Sequence, residues 1–489
     1  MTRRRFLQGA AGIGVSLSLS RFSAKSYGQI AGANEDIRLV VVGCNDCGRA
    51  HISKFLALKG VRLTALCDVD SAVLDRAMGI VAAAGRPAPT RYVDVRKVLE
   101  SKEIDAMYGA PPNHWHALMT IWACQAGKDV YIEKPICHSV WEGQQAVTAS
   151  RKYDRIVQAG TQWRSMPEVF EAIEYAKSGK LGKILVSRGL CYKPRPSIGN
   201  VTELKVPSTV DFDLWCGPVS KEQHPRAQFH YDWHWFWETG NGDIGNQGAH
   251  QMDLARWALG KANVAPSVIS LGGRLGYHDN GETPNTMLTV HDYGDALLIF
   301  EVRGLPIRGG AAALSAGPAS PMDKYRGAAI GNVIECENGY VSITEAQSAA
   351  FDNDGKKIQT FTGAGVTRDS SHQANFLKAV RSRKRADLQG ELAEGAVSSY
   401  LCHLSNISYR TGKAVSAEEA KAALAGPAAA ETLNRLHAHL DANGVPWEGV
   451  TLGMPLKIEP EMVKIAGNDT ASKLLTQAYR APFIVPENV

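Results

Sequence analysis

The sequence predicts an α/β protein in which a doubly wound parallel sheet precedes a second domain with a mostly antiparallel sheet. Three observations predict it. An apolar run at residues 37–42 ends at Gly43 and leads into a helical stretch, the pattern that opens a parallel βαβ unit. Strand-like and helical runs then alternate up to about residue 153. Later in the chain, strand-like runs follow one another with turn residues beside them.

The first domain is built from four strand-like runs with helical stretches between them. The runs lie at residues 37–43, 61–67, 106–110 and 130–132. The helix after the first run begins near Gly48 and places Ile52, Phe55 and Leu56 at helical spacing. Strands separated in this way pair in parallel, because each helical crossover returns the chain to the same end of the sheet.

The second half of the chain has a different composition and a different pattern of strands. Aromatic residues, prolines and glycines crowd residues 163–257. Strand-like runs follow at residues 268–271, 286–290, 296–300 and 333–336. Turn signals at residues 337–339 and 353–355 predict that these strands form an antiparallel sheet. Helix returns over residues 372–412, and the stretch after Val415 is predicted to be an alanine-rich helix and a proline-containing tail without recognisable chemistry.

The net charge argues against nucleic-acid binding. The 489 residues include 54 basic and 49 acidic side chains, a formal charge of +5. Five of the basic residues precede the first acidic residue: Arg3, Arg4, Arg5, Arg21 and Lys25. Without these five, 49 basic residues balance 49 acidic ones. No basic patch therefore remains to bind nucleic acid.

The start of the chain has the layout of a twin-arginine export signal. Residues 3–5 are arginines, and a mild apolar run follows over residues 9–20. That run is shorter than the ~20 residues of a spanning helix, and no later segment could span a membrane. We therefore predict a signal peptide over residues 1–30, export in the folded state by the twin-arginine translocon, and a periplasmic location. An uncleaved basic tail is the alternative.

The sequence predicts neither a disulfide framework nor a metal site. Nine cysteines are an odd number in a long chain. Cys44 and Cys47 have CxxC spacing, but they lie inside a glycine turn, so the spacing is interpreted as incidental. His230, Asp232 and His234 could suggest a metal, but the surrounding aromatic residues favour a sugar-stacking surface.

The turn after the first strand is predicted to hold a dinucleotide. Gly43 permits a tight turn, and Gly48 permits close packing of the helix, whose N-terminal N–H groups face a pyrophosphate. Asn45 takes the middle position, where asparagine tolerates left-handed backbone angles although its side chain crowds the phosphate. Asp46 and Cys47 complete the turn and belong to the predicted cofactor site. A glycine turn in an unrelated α/β protein is the alternative.

A carboxylate follows the second strand where a dinucleotide site needs one. Asp68 lies twenty residues beyond Gly48 and directly after the run at 61–67. An acid in that place binds the ribose hydroxyls. Its charge would repel the 2′-phosphate of NADP, so NAD is the predicted cofactor and NADP is less favoured.

A lysine follows the fourth strand-like run, at the edge where doubly wound sheets bind ligands. Glu133, Lys134 and Pro135 occupy this place. Lys134 can hold a substrate hydroxyl and share its proton during hydride transfer, provided that burial lowers its pKa. Pro135 fixes the backbone that directs the lysine. A surface lysine at a strand end is the alternative.

Four motifs occur in the order and spacing of a known family. They are Gly43-x-Asn45-x-x-Gly48-x-x-His51, Cys67-Asp68-Val69-Asp70, Pro112-Asn113-His114-x-His116 and Glu133-Lys134-Pro135. On these motifs the chain resembles the Gfo/Idh/MocA oxidoreductases, which include glucose–fructose oxidoreductase and inositol dehydrogenase. The resemblance covers about residues 37–412, most of the chain.

The resemblance implies both a fold and a chemistry. It implies a Rossmann domain over residues 36–155 and an α/β domain with a large, mostly antiparallel open sheet over residues 156–412, followed by a tail over residues 413–489. It implies hydride exchange between a nicotinamide and a sugar or polyol, and a homo-oligomer, dimer or tetramer, formed through the open sheet. It also places further residues in the cofactor site beside Lys134: Pro112, Asn113, His116 and Glu133.

The second domain of the family's dehydrogenases carries an Asp-x-x-x-His pair at the reacting carbon. The matching stretch here begins at Asn246 and ends at His250. The resemblance therefore implies that His250 acts with Lys134 as acid and base. Asn246 cannot accept a proton at neutral pH, but it can orient the substrate by hydrogen bonds. A helix-start cap or a core histidine is the alternative for His250.

Two further groups are candidates for substrate binding. Lys193 and Arg195 place two cations on an extended, proline-rich segment, which suits a polar or anionic substrate. A solvated loop is the alternative for that segment. Tyr231 and His234 lie in the aromatic stretch and are predicted to contact a sugar. His372 is predicted to be structural.

These observations predict an exported NAD(P)-dependent oxidoreductase. It would transfer hydride between a tightly bound nicotinamide and a sugar or polyol derivative. The alternative is an NAD-dependent glycoside hydrolase that works by transient oxidation and elimination. A non-catalytic sugar or nucleotide sensor is a rival from another class, disfavoured because a sensor needs no proton shuttle.

Overall fold

The computed structural model describes residues 36–369 and 371–489, and the predicted signal peptide lies outside them. The described chain forms a parallel six-stranded sheet in the first domain and a twelve-stranded, mostly antiparallel sheet in the second. Helices pack against both sheets. The predicted fold class is thereby confirmed.

The first sheet consists of six short strands. They are β1 (Ile37–Val42), β2 (Val61–Cys67), β3 (Thr90–Tyr92), β4 (Ala106–Gly109), β5 (Asp129–Ile132) and β6 (Val157–Ala159). Their spatial order is β3-β2-β1-β4-β5-β6, and every pair is parallel. The chain changes direction across the sheet between β1 and β4, which leaves a crevice at the carboxyl ends of these strands.

Helices cover both faces of this sheet. They are α1 (Asp46–Leu56), α2 (Ser71–Ala83), α3 (Val95–Glu100), α4 (His116–Gln125) and α5 (Val140–Lys152). Successive side chains of β1 enter different cores: Leu39 and Val41 pack in one cluster, and Val40 and Val42 in the other. A strand buried on both faces reads as a continuous apolar run, which is why β1 was recognisable in the sequence.

The second sheet is large and mixed. Its strands are β7 (Ile184–Tyr192), β8 (Ser267–Gly273), β9 (Thr286–Asp292), β10 (Leu297–Arg303), β11 (Ile330–Cys336), β12 (Gly339–Thr344), β13 (Ser348–Phe351), β14 (Lys357–Phe361), β15 (Lys413–Ala414), β16 (Thr451–Leu452), β17 (Leu456–Glu459) and β18 (Lys464–Ala466). The order is β14-β13-β12-β11-β7-β10-β9-β8-β16-β15, with β17 also on β8 and β18 on β17. Only β7 and β10 pair in parallel among these described strands.

The helices of the second domain connect the sheet to the first domain. They are α6 (Pro167–Lys177), α7 (Phe212–Cys216), α8 (Gly242–Asn246), α9 (Gly248–Ala258), α10 (His372–Ser382), α11 (Leu392–Arg410), α12 (Ala417–Ala423), α13 (Pro427–Ala442) and α14 (Asp469–Lys473). Apolar residues of α9 and α11 share one core with residues of β4 and β5. The two domains are therefore joined by buried apolar contacts.

The tail, residues 413–489, packs on both domains. Leu433, Leu436 and Leu440 of α13 pack on the face of the second sheet opposite α9 and α11. Phe483 and Val489 are buried in the core that holds the first domain's α4 and α5. None of the described helices is long and apolar enough to cross a membrane.

Candidate functional site

A cavity of about 400 Å³ lies at the carboxyl ends of β1, β2, β4 and β5, where the second domain faces the first. Fourteen of the seventeen residues predicted for the site line it: Gly43, Asn45, Asp46, Cys47, Asp68, Pro112, Asn113, His116, Glu133, Lys134, Lys193, Tyr231, His234 and Asn246. The other three, Gly48, Arg195 and His250, do not line it.

The turn between β1 and α1 is too tight for side chains at its two glycines. Gly43 has φ +79°, and a Cβ there would lie 2.6 Å from the carbonyl of Ala110. A Cβ on Gly48 would lie 1.8 Å from the carbonyl oxygen of Gly43. Asn45 does not use left-handed angles, since its φ is −88°. The residue with positive φ is Asp46, at 35°, so the expected role of asparagine belongs to its neighbour.

Asp68 is held by the backbone at the end of β2. Its Oδ2 accepts a hydrogen bond from the N–H of Cys44 at 2.7 Å, and its Oδ1 accepts one from the N–H of Asp70 at 2.9 Å. Burial raises the pKa of the Asp68 carboxyl. These contacts fix the carboxylate against the glycine turn, where it faces the cavity.

Lys134 is directed by the second domain. Its Nζ donates to the backbone oxygen of Asn246 at 2.6 Å and to the side-chain Oδ1 at 3.3 Å. Burial lowers the pKa of Lys134, and the neighbouring Glu133 carboxylate opposes that shift. A lysine with a lowered pKa gives up its proton at a lower pH than an ordinary lysine does, which favours a role in proton transfer.

Glu133 is fixed behind the lysine by donors from the first domain. Its Oε1 accepts from the Tyr108 hydroxyl at 3.1 Å and from Gln162 Nε2 at 2.8 Å. Glu133, His51 and Cys47 place ligand atoms within 4.8 Å of one another. His51 Nδ1 contacts the amide nitrogen of Gln373 at 3.3 Å, which leaves the proton on Nε2, 3.7 Å from Glu133. These contacts indicate that Glu133 and His51 belong to a network of hydrogen-bonded side chains.

His234 presents a fixed tautomer to the cavity. Its Nδ1 donates to the backbone oxygen of Tyr231 at 2.6 Å, because a carbonyl can only accept. Nε2 therefore carries the lone pair. Burial lowers the pKa of His234 to about 3, and the Trp233 ring stacks on the imidazole at 3.6 Å. The imidazole is a neutral acceptor across the working pH range.

His250 is not among the residues that line the cavity, and its role with Lys134 stays a prediction. It lies on the first turn of α9, and burial, together with the charge of Lys134, lowers its pKa to about 3. Its Nδ1 is buried without a hydrogen-bond partner within residues 36–369 and 371–489. The histidines that line the cavity with Lys134 are His116, His230 and His234.

Arg195 also points away from the cavity. Its guanidinium forms two hydrogen bonds with the buried Asp243, at 2.7 and 2.5 Å, and lies over the Trp235 ring. Its Nη1 contacts the Tyr231 hydroxyl at 3.3 Å. The arginine thus supports Tyr231, and its charge is neutralised. The predicted structural histidine, His372, contacts Ser165 Oγ and the Ala159 carbonyl.

A segment of the second domain covers the cofactor half of the cavity. This lid segment, residues 209–236, is joined to the first domain at the end of β2. The N–H of Ser71 donates to the Thr209 carbonyl at 3.0 Å, and the N–H of Asp211 donates to the Val69 carbonyl at 2.8 Å. His230 Nε2 lies 2.9 Å from Asp70 Oδ2. Trp215 and Trp233 of the segment line the cavity.

The tail holds the lid segment from outside. Arg480 forms hydrogen bonds with Asp213 Oδ1 at 2.9 Å and with the backbone oxygens of Gly217 and Val219 at 3.1 Å. The Phe483 ring packs edge-on against Trp115, which lines the cavity. No sequence pattern predicts this role, since Arg480 lies 267 residues from Asp213.

Two regions of the chain match known protein-family models. Residues 37–161 match the Gfo/Idh/MocA oxidoreductase family model for an NAD-binding Rossmann fold. Residues 189–299 match the model for the C-terminal α/β domain of the same oxidoreductase family. A curated relative, a glycosyl hydrolase family 109 protein from Shewanella sp. (strain W3-18-1), is 30% identical over 169 residues, 31% of this chain and 37% of that protein. The match thus spans little more than a third of that relative.

Solved structures share the fold. The WlbA dehydrogenase from Bordetella pertussis, in complex with NADH and UDP-GlcNAcA, has a TM-score of 0.54 at 19% identity, covering 76% of this chain and 95% of that chain. The myo-inositol 2-dehydrogenase from Lactobacillus plantarum has a TM-score of 0.52 at 17% identity, covering 76% and 96%. At identities this low, the structural similarity shows a common fold alone.

Proposed function

We propose that the chain is a member of the Gfo/Idh/MocA oxidoreductase family, whose two domain models it matches, and that it transfers hydride between a bound nicotinamide dinucleotide and a sugar or polyol. The observation that carries the proposal is the position of Lys134. It has a lowered pKa, it lies at the carboxyl end of β5, and Asn246 directs it into a cavity of dinucleotide size. A binding protein has no need of such a group.

The residues of the cavity fit a dinucleotide. A Cβ on Gly43 would collide with the chain, and the exposed N-terminus of α1 offers N–H groups to a pyrophosphate. Asp68 is placed for ribose hydroxyls, and Pro112, Asn113 and His116 follow β4 towards Lys134. When bound, the nicotinamide supplies the carbon that accepts or returns hydride. We propose NAD rather than NADP, because the fixed Asp68 carboxylate would repel a 2′-phosphate.

The proton chemistry is assigned to Lys134. In oxidation, its neutral amine takes the proton of the substrate hydroxyl as the carbon gives up hydride, and in reduction its ammonium returns the proton. Asn246 Oδ1 and backbone oxygen hold Nζ in place. His234 Nε2 accepts a hydrogen bond from a second hydroxyl and so orients the ring.

The lid segment supports a tightly held cofactor. Backbone hydrogen bonds on both sides of Asp70 and the packing of Phe483 close the cavity around the end of β2. We propose that the cofactor is bound before export by the twin-arginine route and is recycled in the periplasm within each turnover. A homo-oligomer stays a prediction.

A glycoside hydrolase that oxidises its sugar transiently is the second candidate. Similarity to a glycosyl hydrolase family 109 protein favours this candidate. The neutral imidazole of His234 also favours it, because it gives the substrate end a second proton-accepting group besides Lys134. Such an enzyme would oxidise a ring carbon, remove a proton from the neighbouring carbon to expel the leaving group, add water, and return the hydride.

One experiment separates the two candidates. The purified protein is denatured to release any dinucleotide, and the folded protein is offered free sugars and aryl glycosides. Net NADH from a free sugar supports the oxidoreductase. Release of the aryl alcohol without net NADH supports the glycoside hydrolase. Absence of bound dinucleotide together with absence of both reactions would contradict an enzymatic function.

A further inference from the structure

The charges that line the cavity are segregated along the first sheet. Three of the lining carboxylates, Asp46, Asp68 and Asp94, lie after β1, β2 and β3, and a fourth, Glu133, follows β5 beside Lys134. The two lining cations, Lys134 and Lys193, lie at the other end, beyond β5. Neighbouring strands are about 4.8 Å apart, so β2 and β5 are roughly 14 Å apart. The substrate end is therefore separated from most of the acidic groups.

Lys193 is the cation at that end that the proposed reaction does not use. It follows β7, and its N–H donates to the Arg303 carbonyl at 3.1 Å, which fixes the backbone. Its ammonium lines the cavity and has neither a hydrogen bond nor an ion pair with any residue in the described part of the chain. Lys134 lines the same cavity, and the charge of Lys193 is one of the causes that lower the pKa of Lys134.

The neighbours of Lys193 do not neutralise it. Glu133, which also lines the cavity, accepts hydrogen bonds from Tyr108 and Gln162. Asp243 is paired with Arg195. Asn246, which the resemblance matches to an aspartate, is uncharged, and its oxygens already bind Lys134. Two ammonium groups therefore share this end of the cavity with one lining carboxylate, Glu133, which leaves a net positive charge in front of Lys193 and Lys134.

We propose that the substrate is an anionic sugar, whose carboxylate or phosphate binds the Lys193 ammonium while Lys134 acts at the reacting hydroxyl. This inference rests on the proposed function, and it narrows the substrate class. A partly buried cation without a partner is costly, and a charge-assisted hydrogen bond to a ligand offsets that cost. Arg195 cannot supply this contact, because Asp243 occupies its guanidinium.

The test is calorimetric titration of the cofactor-loaded protein with D-glucuronate, D-glucose 6-phosphate and D-glucose at low ionic strength. At least one anion is expected to bind about tenfold more tightly than glucose, the equivalent of one charge-assisted hydrogen bond. The anion that binds more tightly shows whether the site prefers a carboxylate or a phosphate. Equal affinities for all three, or tighter binding of glucose, would overturn the inference, as would failure of both anions to bind.

Variants assign the effect to one residue. Lys193→Met should abolish the preference for the anion over glucose, whereas Lys193→Arg should keep most of the preference. Lys205→Met removes an exposed lysine and should change nothing. A preference that survives Lys193→Met would contradict the assignment. Loss of bound NAD from the wild-type protein would instead contradict the proposed function, and the two failures are therefore distinguishable.

Discussion

The two halves of the cavity are built in different ways. Apart from the lid segment that covers it, the cofactor half comes from one stretch, residues 42–134, in which most lining residues lie at or after the end of a strand or near the start of a helix of the first domain. The substrate half brings together Lys193, Tyr231, His234 and Asn246, which lie on separate segments and are held by contacts far apart in sequence. The first half depends on local backbone geometry, and the second on tertiary contacts. The effects of substitutions should differ accordingly.

The largest effect is expected where the two halves meet. Lys134→Met should lower turnover by ~10²–10⁴-fold, the contribution of a general acid or base, and should leave NAD bound, because the cofactor half keeps its backbone. Steady-state rates and the dinucleotide released on denaturation measure the two properties. Lys59→Met, at an exposed lysine, is the control. Normal turnover by Lys134→Met would remove this residue from the mechanism.

The next effect tests local geometry in the cofactor half. Gly48→Ala should displace α1 from the turn, because its Cβ would lie 1.8 Å from the Gly43 oxygen, and should cost roughly 1–3 kcal/mol of stability together with bound NAD. Gly79→Ala is the matched control within α2, where a Cβ meets nothing within 4 Å. It should stabilise the protein by about 0.5–1 kcal/mol. Urea unfolding measures the stability of each variant, and the dinucleotide content measures cofactor binding. Equal stability and equal NAD content in the two variants would contradict the role assigned to the tight turn at Gly48.

A tail residue tests whether tertiary contacts hold the lid segment. Arg480→Ala removes the hydrogen bonds to Asp213, Gly217 and Val219. The dissociation rate of NAD should rise about tenfold, as expected for the loss of one or two hydrogen bonds from a charged group. Dilution of the loaded protein into a trap for free NAD measures the rate. Lys473→Ala, at an exposed residue of α14, should release NAD at the wild-type rate. An unchanged rate in Arg480→Ala would show that the tail does not retain the cofactor.

The smallest effect is a shift along the pH axis. Oxidation needs neutral Lys134, whose pKa lies below the ordinary lysine value, so kcat/KM should rise with pH and level off once the pH exceeds that lowered pKa. Asn246→Asp places a carboxylate beside Nζ, 3.3 Å away at present. It should raise the pKa of Lys134 and move the rise by about one pH unit towards higher pH. His234, with a pKa of about 3, should add no inflection near pH 6.5. A profile unmoved by Asn246→Asp would show that Lys134 is not the titrating base.

The sequence predicted the cofactor half well, because its features are local. A buried strand, two glycines and an acid at the next strand end are determined by backbone sterics within a few residues. Local backbone sterics did not predict which residue of the turn has a positive φ. The positive φ falls on Asp46 and not on Asn45, since asparagine and aspartate both tolerate it and the surrounding packing decides between them.

Only the tertiary structure decided the substrate half. The family resemblance implied a role for His250 beside Lys134, which stays a prediction, whereas the lid segment brings His234 to the cavity lining. Arg195 was predicted to face substrate, yet the buried Asp243 binds it, because an unpaired buried carboxylate would be costly. The tail gave no sequence signal, because Arg480 and Phe483 act through partners hundreds of residues away or on other helices. Sequence patterns report the local geometry of strands, turns and helices, whereas the choice of partner for a charged or aromatic side chain depends on which segments the folded chain brings together.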